Sequence, residues 1–277
     1  MTIDPEQLGQ SSRELAAMLR NLRKQAGLSG DRLAARCNMS QSKVSRIENG
    51  RVRPSLVDLE RILTALDAPA PLMAEASALA RIAATEWQDA RGMRRKGLDK
   101  KQLELAALEA ASTEFRFFLL SMLTTLLSTP EYIRASLAHI PGDHSKAVAK
   151  KLERQEILYD RAKRFTFILT EQAIRSPFLP DYAMAMQIDR LASLSHLPNI
   201  QIGVVPLGTR MPGCPLNTFT VYNGRLATVE TTAGVMVFRD PRDIRMHLEE
   251  FAAYEGIALF GEAAREKLAD WSTACRS

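Results

Sequence analysis

The first third of the chain is written in a helical period. Between Ser12 and Ala26 the apolar residues Leu15, Met18, Leu19 and Leu22 recur at i, i+3, i+4 and i+7. That spacing predicts an amphipathic helix, capped by Ser11 or Ser12 and stopped at Gly27. Residues 30–37 predict a short second helix with Leu33, Ala34 and Cys37 on one side. Asn38-Met39 makes the turn, and Ser40 caps a third helix, Gln41 to Asn49, that stops at Gly50. Pro54-Ser55 opens a fourth helix to Leu66, with Leu56, Leu59, Ile62, Leu63 and Leu66 as its apolar stripe. A long helical stretch is predicted from Leu72 to about Arg91, and another from Asp99 to Ala111. The pattern divides the chain into a helical unit over 1–70, a helical connector over 71–111 and a remainder over 112–277.

Past residue 112 the periods mix. FRFFLLSML (115–123) fits either a buried strand or the start of a helix. Helices are predicted for EYIRASLAHI after Thr129-Pro130, for the charged run 144–163, for EQAIRS and for DYAMAMQIDRLASLSHL, the last capped by Pro180-Asp181. RFTFILT (164–170) alternates as a strand does, and Asn199 to Val205 is rich in β-branched residues. Residues 217–222, 225–231 and 234–238 predict three short strands in a meander, with Asn-Gly and Ala-Gly turns. A helix from Asp240 to Phe260 follows, and one more turn or two over 261–272. The fold class expected is an all-α N-terminal domain of four to five helices, then an α+β domain with a small, mostly antiparallel sheet.

Composition adds little, but charge does. The 277 residues are 46% hydrophobic and 25% charged, ordinary values that exclude a disordered or fibrous chain. No apolar run approaches the roughly 20 residues of a membrane span, and MTIDPEQLGQ has no signal-peptide pattern. Three scattered cysteines, Cys37, Cys214 and Cys275, point to reduced thiols in a cytoplasm. Residues 1–66 carry 11 Lys/Arg against 7 Asp/Glu, and residues 81–101 carry 7 against 3, whereas residues 102–277 carry 19 against 20. A small polyanion-binding module joined to a near-neutral domain would have that distribution.

The third helix is where chemistry concentrates. At 100° per residue Gln41, Ser42, Ser45, Arg46 and Asn49 share a face of about 140°, and Val44 and Ile47 fall opposite. One face anchors the helix. The other offers short hydrogen-bonding groups and a single guanidinium, suited to base edges in a major groove. Lys43, Arg51 and Arg53 flank it, where phosphates would run.

SQSKVSRIENGRVRPS resembles the recognition helix and following turn of the lambda-repressor-like (XRE-type) helix-turn-helix family. The resemblance implies base reading by Gln41, Ser42 and Arg46, with Ser45 on the same face, and backbone contacts by Asn49, Arg51 and Arg53. That family usually has Gln at the start of the preceding helix, gripping a phosphate. Here the position is Gly30, so the contact falls to Ser29, Arg32 or the helix amides. Farther on, LLSTPEYIRA (126–135), ERQEIL (153–158), TEQAIR (170–175), MQIDRLASLSHLPNIQIGVVP (186–206), NTFTVYN (217–223) and HLEEFAAYEGIAL (247–259) occur in one order. Together they resemble the C-terminal domain of the actinobacterial WhiJ-like, antitoxin-like transcriptional regulators. That resemblance implies a small protein, encoded nearby, as partner of this half.

Catalytic patterns are missing. His139, His144, His196 and His247 have no zinc-ligand spacing, and no nucleophile elbow, P-loop or dinucleotide fingerprint occurs. Asp143-His144 reads as a solvated loop pair and Cys214 as a loop cysteine. The aromatic and methionine set from Phe115 to Met186 reads as core. The expectation is a cytoplasmic DNA-binding regulator without catalysis, metal, cofactor or membrane attachment. It would bind a pseudo-palindromic operator in double-stranded DNA as a homodimer. The alternatives are an antitoxin-like protein that mainly sequesters a partner, or a one-component metabolite sensor.

Overall fold

The computed structural model describes residues 7–52, 54–84, 86–89, 106–231 and 234–276. The chain divides into two compact units, Met1–Glu86 and Trp87–Ser277.

The first unit is five helices: α1 (Gln7–Gln25), α2 (Gly30–Arg36), α3 (Gln41–Glu48), α4 (Leu56–Ala65) and α5 (Ala70–Ala84). The apolar stripes meet in one core of Leu15, Leu19, Leu33, Val44, Ile47, Leu59, Ile62 and Leu63, joined by Ala76 and Ala80 of α5. Starts and stops are encoded locally. Ser29, Ser40 and Ser55 each accept a backbone N–H at the N-terminus of α2, α3 and α4, and Ser55 and Asp58 form a capping box. The first four helices end on a residue at positive φ: Gly27, Asn38, Gly50 and Asp67. Each time, that residue's N–H and the next one's bond back to the last turn, as in Gly50 to Ile47 O at 2.9 Å and Arg51 to Arg46 O at 2.9 Å. α5 packs with this bundle, where the sequence reading had the connector begin. It stops at Ala84, and strand β1 (Glu86–Asp89) follows where helix was predicted to Arg91. Trp87, a strand-favouring residue, breaks the alanine-rich run.

The second unit is α+β. A helical stretch over 106–110 precedes β2 (Glu114–Leu119). Then come α6 (Pro130–Leu137), α7 (Ser145–Glu153), β3 (Arg164–Thr170), α8 (Glu171–Arg175), α9 (Asp181–Leu194) and β4 (Ile200–Val205). The meander is β5 (Phe219–Tyr222), β6 (Leu226–Thr231) and β7 (Gly234–Phe238), and the unit closes with α10 (Pro241–Glu255) and α11 (Gly261–Ala274). Strand order is β1-β7-β6-β5-β2-β3-β4. β2, β3 and β4 are parallel, and β2-β5, β5-β6 and β6-β7 are antiparallel, so the mostly antiparallel sheet has a parallel flank. One face carries Phe115, Phe117, Phe165, Phe167, Ile200 and Ile202 against α9 and α11. The other carries Phe118, Ile168, Phe219 and Val221 against α10.

FRFFLL proves to be strand. The charged run 144–163 is not one helix: α7 gives way to a 3-10 segment, Arg154–Tyr159. There the side chain of Gln155 donates to Thr125 O at 2.7 Å and Ser128 O at 2.8 Å, and accepts from Arg190 at 2.7 Å. Gln187, fully buried, accepts from Thr129 N at 2.7 Å and donates to Leu127 O at 3.0 Å. These long-range bonds join the LLSTP, ERQEIL and MQIDR segments of this chain. α11 is also longer than predicted, because Ala264, Leu268 and Trp271 bury a continuous stripe.

Candidate nucleic-acid interface

α2, its turn and α3 form a helix-turn-helix. Asn38, at φ 52°, sets the turn, and the Met39 N–H bonds to Ala34 O at 2.9 Å. Asn tolerates this left-handed geometry better than most residues do. Val44 and Ile47 are buried, each 1% exposed, while Gln41, Ser42 and Arg46 are exposed and Ser45 is half-buried.

Two ion pairs fix α3 in the bundle. Glu48 at its C-terminal end is buried and takes Arg23 of α1 in a fork, Nε to Oε1 at 2.7 Å and Nη2 to Oε2 at 2.8 Å. Arg23 also donates to Leu28 O at 2.9 Å. The hydrogen bond to Glu48 holds the guanidinium pKa above its ordinary range. At the other end Lys43 donates to Asp58 at 2.8 Å. Burial pushes the Asp58 carboxyl up, but the hydrogen bonds from Lys43 and Ser55 outweigh it and its pKa lies below the usual carboxylate range. Arg20 adds a third tie, donating to Glu48 O and to Asn49 Oδ1, both at 2.6 Å.

These ties sort the residues singled out from the sequence. Lys43 faces Asp58. Asn49 is exposed, its side chain accepting from Arg20 and donating to Ser45 O at 2.8 Å. Ser29 caps α2, its hydroxyl accepting from Arg32 N at 3.2 Å. Gln41, Ser42 and Arg46 share the open face, and Arg46 donates through Nε to Ser42 O at 3.2 Å, so its Nη atoms keep no partner among the described residues. Arg32 and Arg51 are exposed beside it. Gly30 lies against this group, since a Cβ there would stand 3.7 Å from Gln41 Nε2. Arg53 lies outside the described residues. Sequence reasoning missed Arg20, Arg23, Glu48 and Asp58. The charged Glu48 at a buried helix position was the one available signal.

Comparison with known proteins locates both halves. The model of a domain of unknown function, DUF5753, matches residues 102–270, more than half of the chain. The chain belongs to the DUF5753 family. In this DUF5753 chain a helix-turn-helix domain matches residues 14–76, which supports a DNA-binding regulator. No curated protein matches. Among solved structures, NucT from Helicobacter pylori is 9% identical, with 63% of this chain and 97% of that one covered and a TM-score of 0.38. Nuc from Salmonella typhimurium, a phospholipase D family member, is 12% identical, with coverage of 58% and 90% and a TM-score of 0.34. TrmBL2, an archaeal chromatin protein, is 10% identical, with coverage of 73% and 66% and a TM-score of 0.32. At these scores the likenesses carry no argument about the site. Among the described residues no helix of the DUF5753 chain is long and apolar enough to cross a membrane.

Proposed function

We propose that this protein is a sequence-specific transcriptional regulator that reads the major groove with Gln41, Ser42, Ser45 and Arg46. The observation that carries the reading is the division of α3. Glu48 and Lys43 tie it down, and Gln41, Ser42 and Arg46 stay exposed on the open face, where the Arg46 Nη atoms have no partner among the described residues. Arg32 and Arg51 flank that face as phosphate contacts, with Arg53 after them in sequence. One short helix buries too little for tight specific binding, which supports a homodimer on a pseudo-palindromic site with half-sites about 10 bp apart. Lys43 and Asn49, bonded to Asp58 and Arg20 yet open to solvent, set the pose of the helix and are further phosphate contacts, as is Ser29 at the start of α2.

The C-terminal domain is the regulatory half, working by binding and not by catalysis, in the cytoplasm. Its motif order supports a small partner protein as the signal, after the WhiJ-like regulators it resembles. The alternative, a small-molecule signal, is favoured by a cavity of about 120 Å³ in the second unit, whose lining includes Thr125, Lys151, Thr220 and Tyr222. The test is gel shift against selected operator and random DNA. Arg46→Ala is expected to cost about 1–3 kcal/mol on the operator and to relax preference at one base position. Binding of both DNAs as in the wild type, or a complex that is monomeric at every concentration, would overturn the reading.

A further inference from the structure

Eight large apolar side chains of the second unit are exposed among the described residues, and six of them belong to segments at one end of it. They are Met122, Phe178, Tyr182, Met186, Leu207 and Leu216, between 42% and 79% exposed, and none joins a core of the unit. The sheet explains the gathering. β2, β3 and β4 run parallel, so their exits lie at the same end, and β5, antiparallel to β2, enters there. Met122 follows β2, Leu207 follows β4 and Leu216 precedes β5. Phe178 lies in the loop after β3 and α8, and Tyr182 and Met186 stand one turn apart at the start of α9.

Hydrogen bonds lace these segments together. Leu120 N–H donates to Thr218 Oγ1 at 3.1 Å, and Leu120 O accepts from the Thr170 hydroxyl at 2.6 Å. Leu207 N–H donates to Glu171 Oε2 at 2.9 Å. The Phe178 ring meets the Tyr132 ring edge-on, centroids 4.6 Å apart, and Tyr132 Oη accepts from the N–H of Leu123, beside Met122, at 2.8 Å. Single exposed apolar residues are ordinary, but a gathering of this size marks an interaction surface. At roughly 200 Å² for a large side chain, the six leave about 700 Å² in water. Each partner in a standard interface contributes about 800 Å². Charge at this end favours a partner of the same kind. Glu131 and Glu171 are paired with Arg134 and Arg175, and Asp181 and Arg210 are exposed, one of each sign, with no partner among the described residues. A surface without net charge does not repel its own copy, and a twofold axis sets the same surface on both sides.

We infer that this end of the second unit is the face by which two copies of the chain associate. The inference rests on the DNA-binding reading only for the need of a pair, since a twofold dimer brings two recognition helices to one operator. Its test uses no DNA. Sedimentation velocity of the full chain over roughly 1–100 μM is expected to show a dimer. Every substitution counts twice in a twofold interface, so Tyr182→Glu and Leu207→Glu are each expected to raise the dimer dissociation constant about a hundredfold or more. Both positions are exposed, and the first turn of α9 suits a carboxylate, so the variants are expected to keep the circular dichroism of the wild type. Met246→Glu, exposed on α10 over the other face of the sheet, is expected to stay dimeric. Rim variants as dimeric as the wild type would overturn the inference, as would dissociation by Met246→Glu alone. A chain monomeric in solution that still pairs on operator DNA would also overturn it, and would leave the DNA-binding reading standing.

Discussion

Glu48→Ala probes the tie between α1 and α3 directly. The side chains of Glu48 and Arg23 are 8% and 16% exposed, and two short charge-assisted hydrogen bonds join them. Breaking a fully buried pair by removing one partner costs about 3–5 kcal/mol, because a desolvated charge is left behind. Arg23 keeps its bond to Leu28 O and some solvent access, which lowers the expected cost to about 2–3 kcal/mol. A bundle of this size has only about 4–13 kcal/mol to lose. Hydrogen exchange on the full chain reads the loss locally. Amides of α3 are expected to exchange about 30- to 150-fold faster in the variant, one factor of ten per 1.4 kcal/mol. Peptides of the second unit serve as the internal control and are expected to be unchanged. Adding Arg23→Ala is expected to cost little more, since the stranded charge is then gone. Exchange in α3 within threefold of wild type would refute the claim that this pair sets the recognition helix.

Three further predictions are independent of it. Asp58 has a lowered pKa in the folded state, so its contribution is present at neutral pH and lost as the pH falls below about 4; Asp58→Asn should flatten the acid limb of the first unit's unfolding curve, and an unchanged limb counts against the pair with Lys43. Arg51→Ala should weaken binding to every DNA sequence about equally and reduce the slope of log affinity against log salt by roughly one; a loss confined to one base pair would make Arg51 a base reader. Gly203→Ala places a Cβ 2.4 Å from the ring of Phe260; it should destabilise the second unit by about 1–3 kcal/mol, relieved by Phe260→Leu, and a neutral result in thermal unfolding would show that the ring swings aside.

What the sequence made legible was whatever is encoded within a turn or two. Ser40, Gly27 and Gly50 announce the ends of helices, and Val44 and Ile47 announce which side of α3 is buried. The meander was legible because Asn223-Gly224, both at positive φ, make the tight turn that its strands need. The rest depends on residues far apart in the chain. Nothing in α3 alone shows that Lys43 pairs with Asp58, 15 residues on, or that Asn49 accepts from Arg20, 29 residues back. The helix predicted over 144–163 ends early because Arg154 and Gln155 answer to Glu109, Thr125 and Ser128. Nor do β5 and β6 by themselves show that Thr220 stands between Phe117 and Thr228.

The position of β2 in the sheet has a consequence for biosynthesis. β2 runs between β3 and β5, with Phe115 opposite Phe165 on one side and Tyr222 on the other. A ribosome adding about 5–20 residues per second needs about 5–20 s to travel from Phe115 to Tyr222. Throughout that interval FRFFLL, among the most apolar stretches of the chain, has at least one edge without its neighbour, the condition under which nascent strands meet the wrong partner. The helix-turn-helix unit faces no such wait, since its contacts close within the first 86 residues. It can fold while the sheet is still being translated, and the burden of chaperoning falls on the second unit.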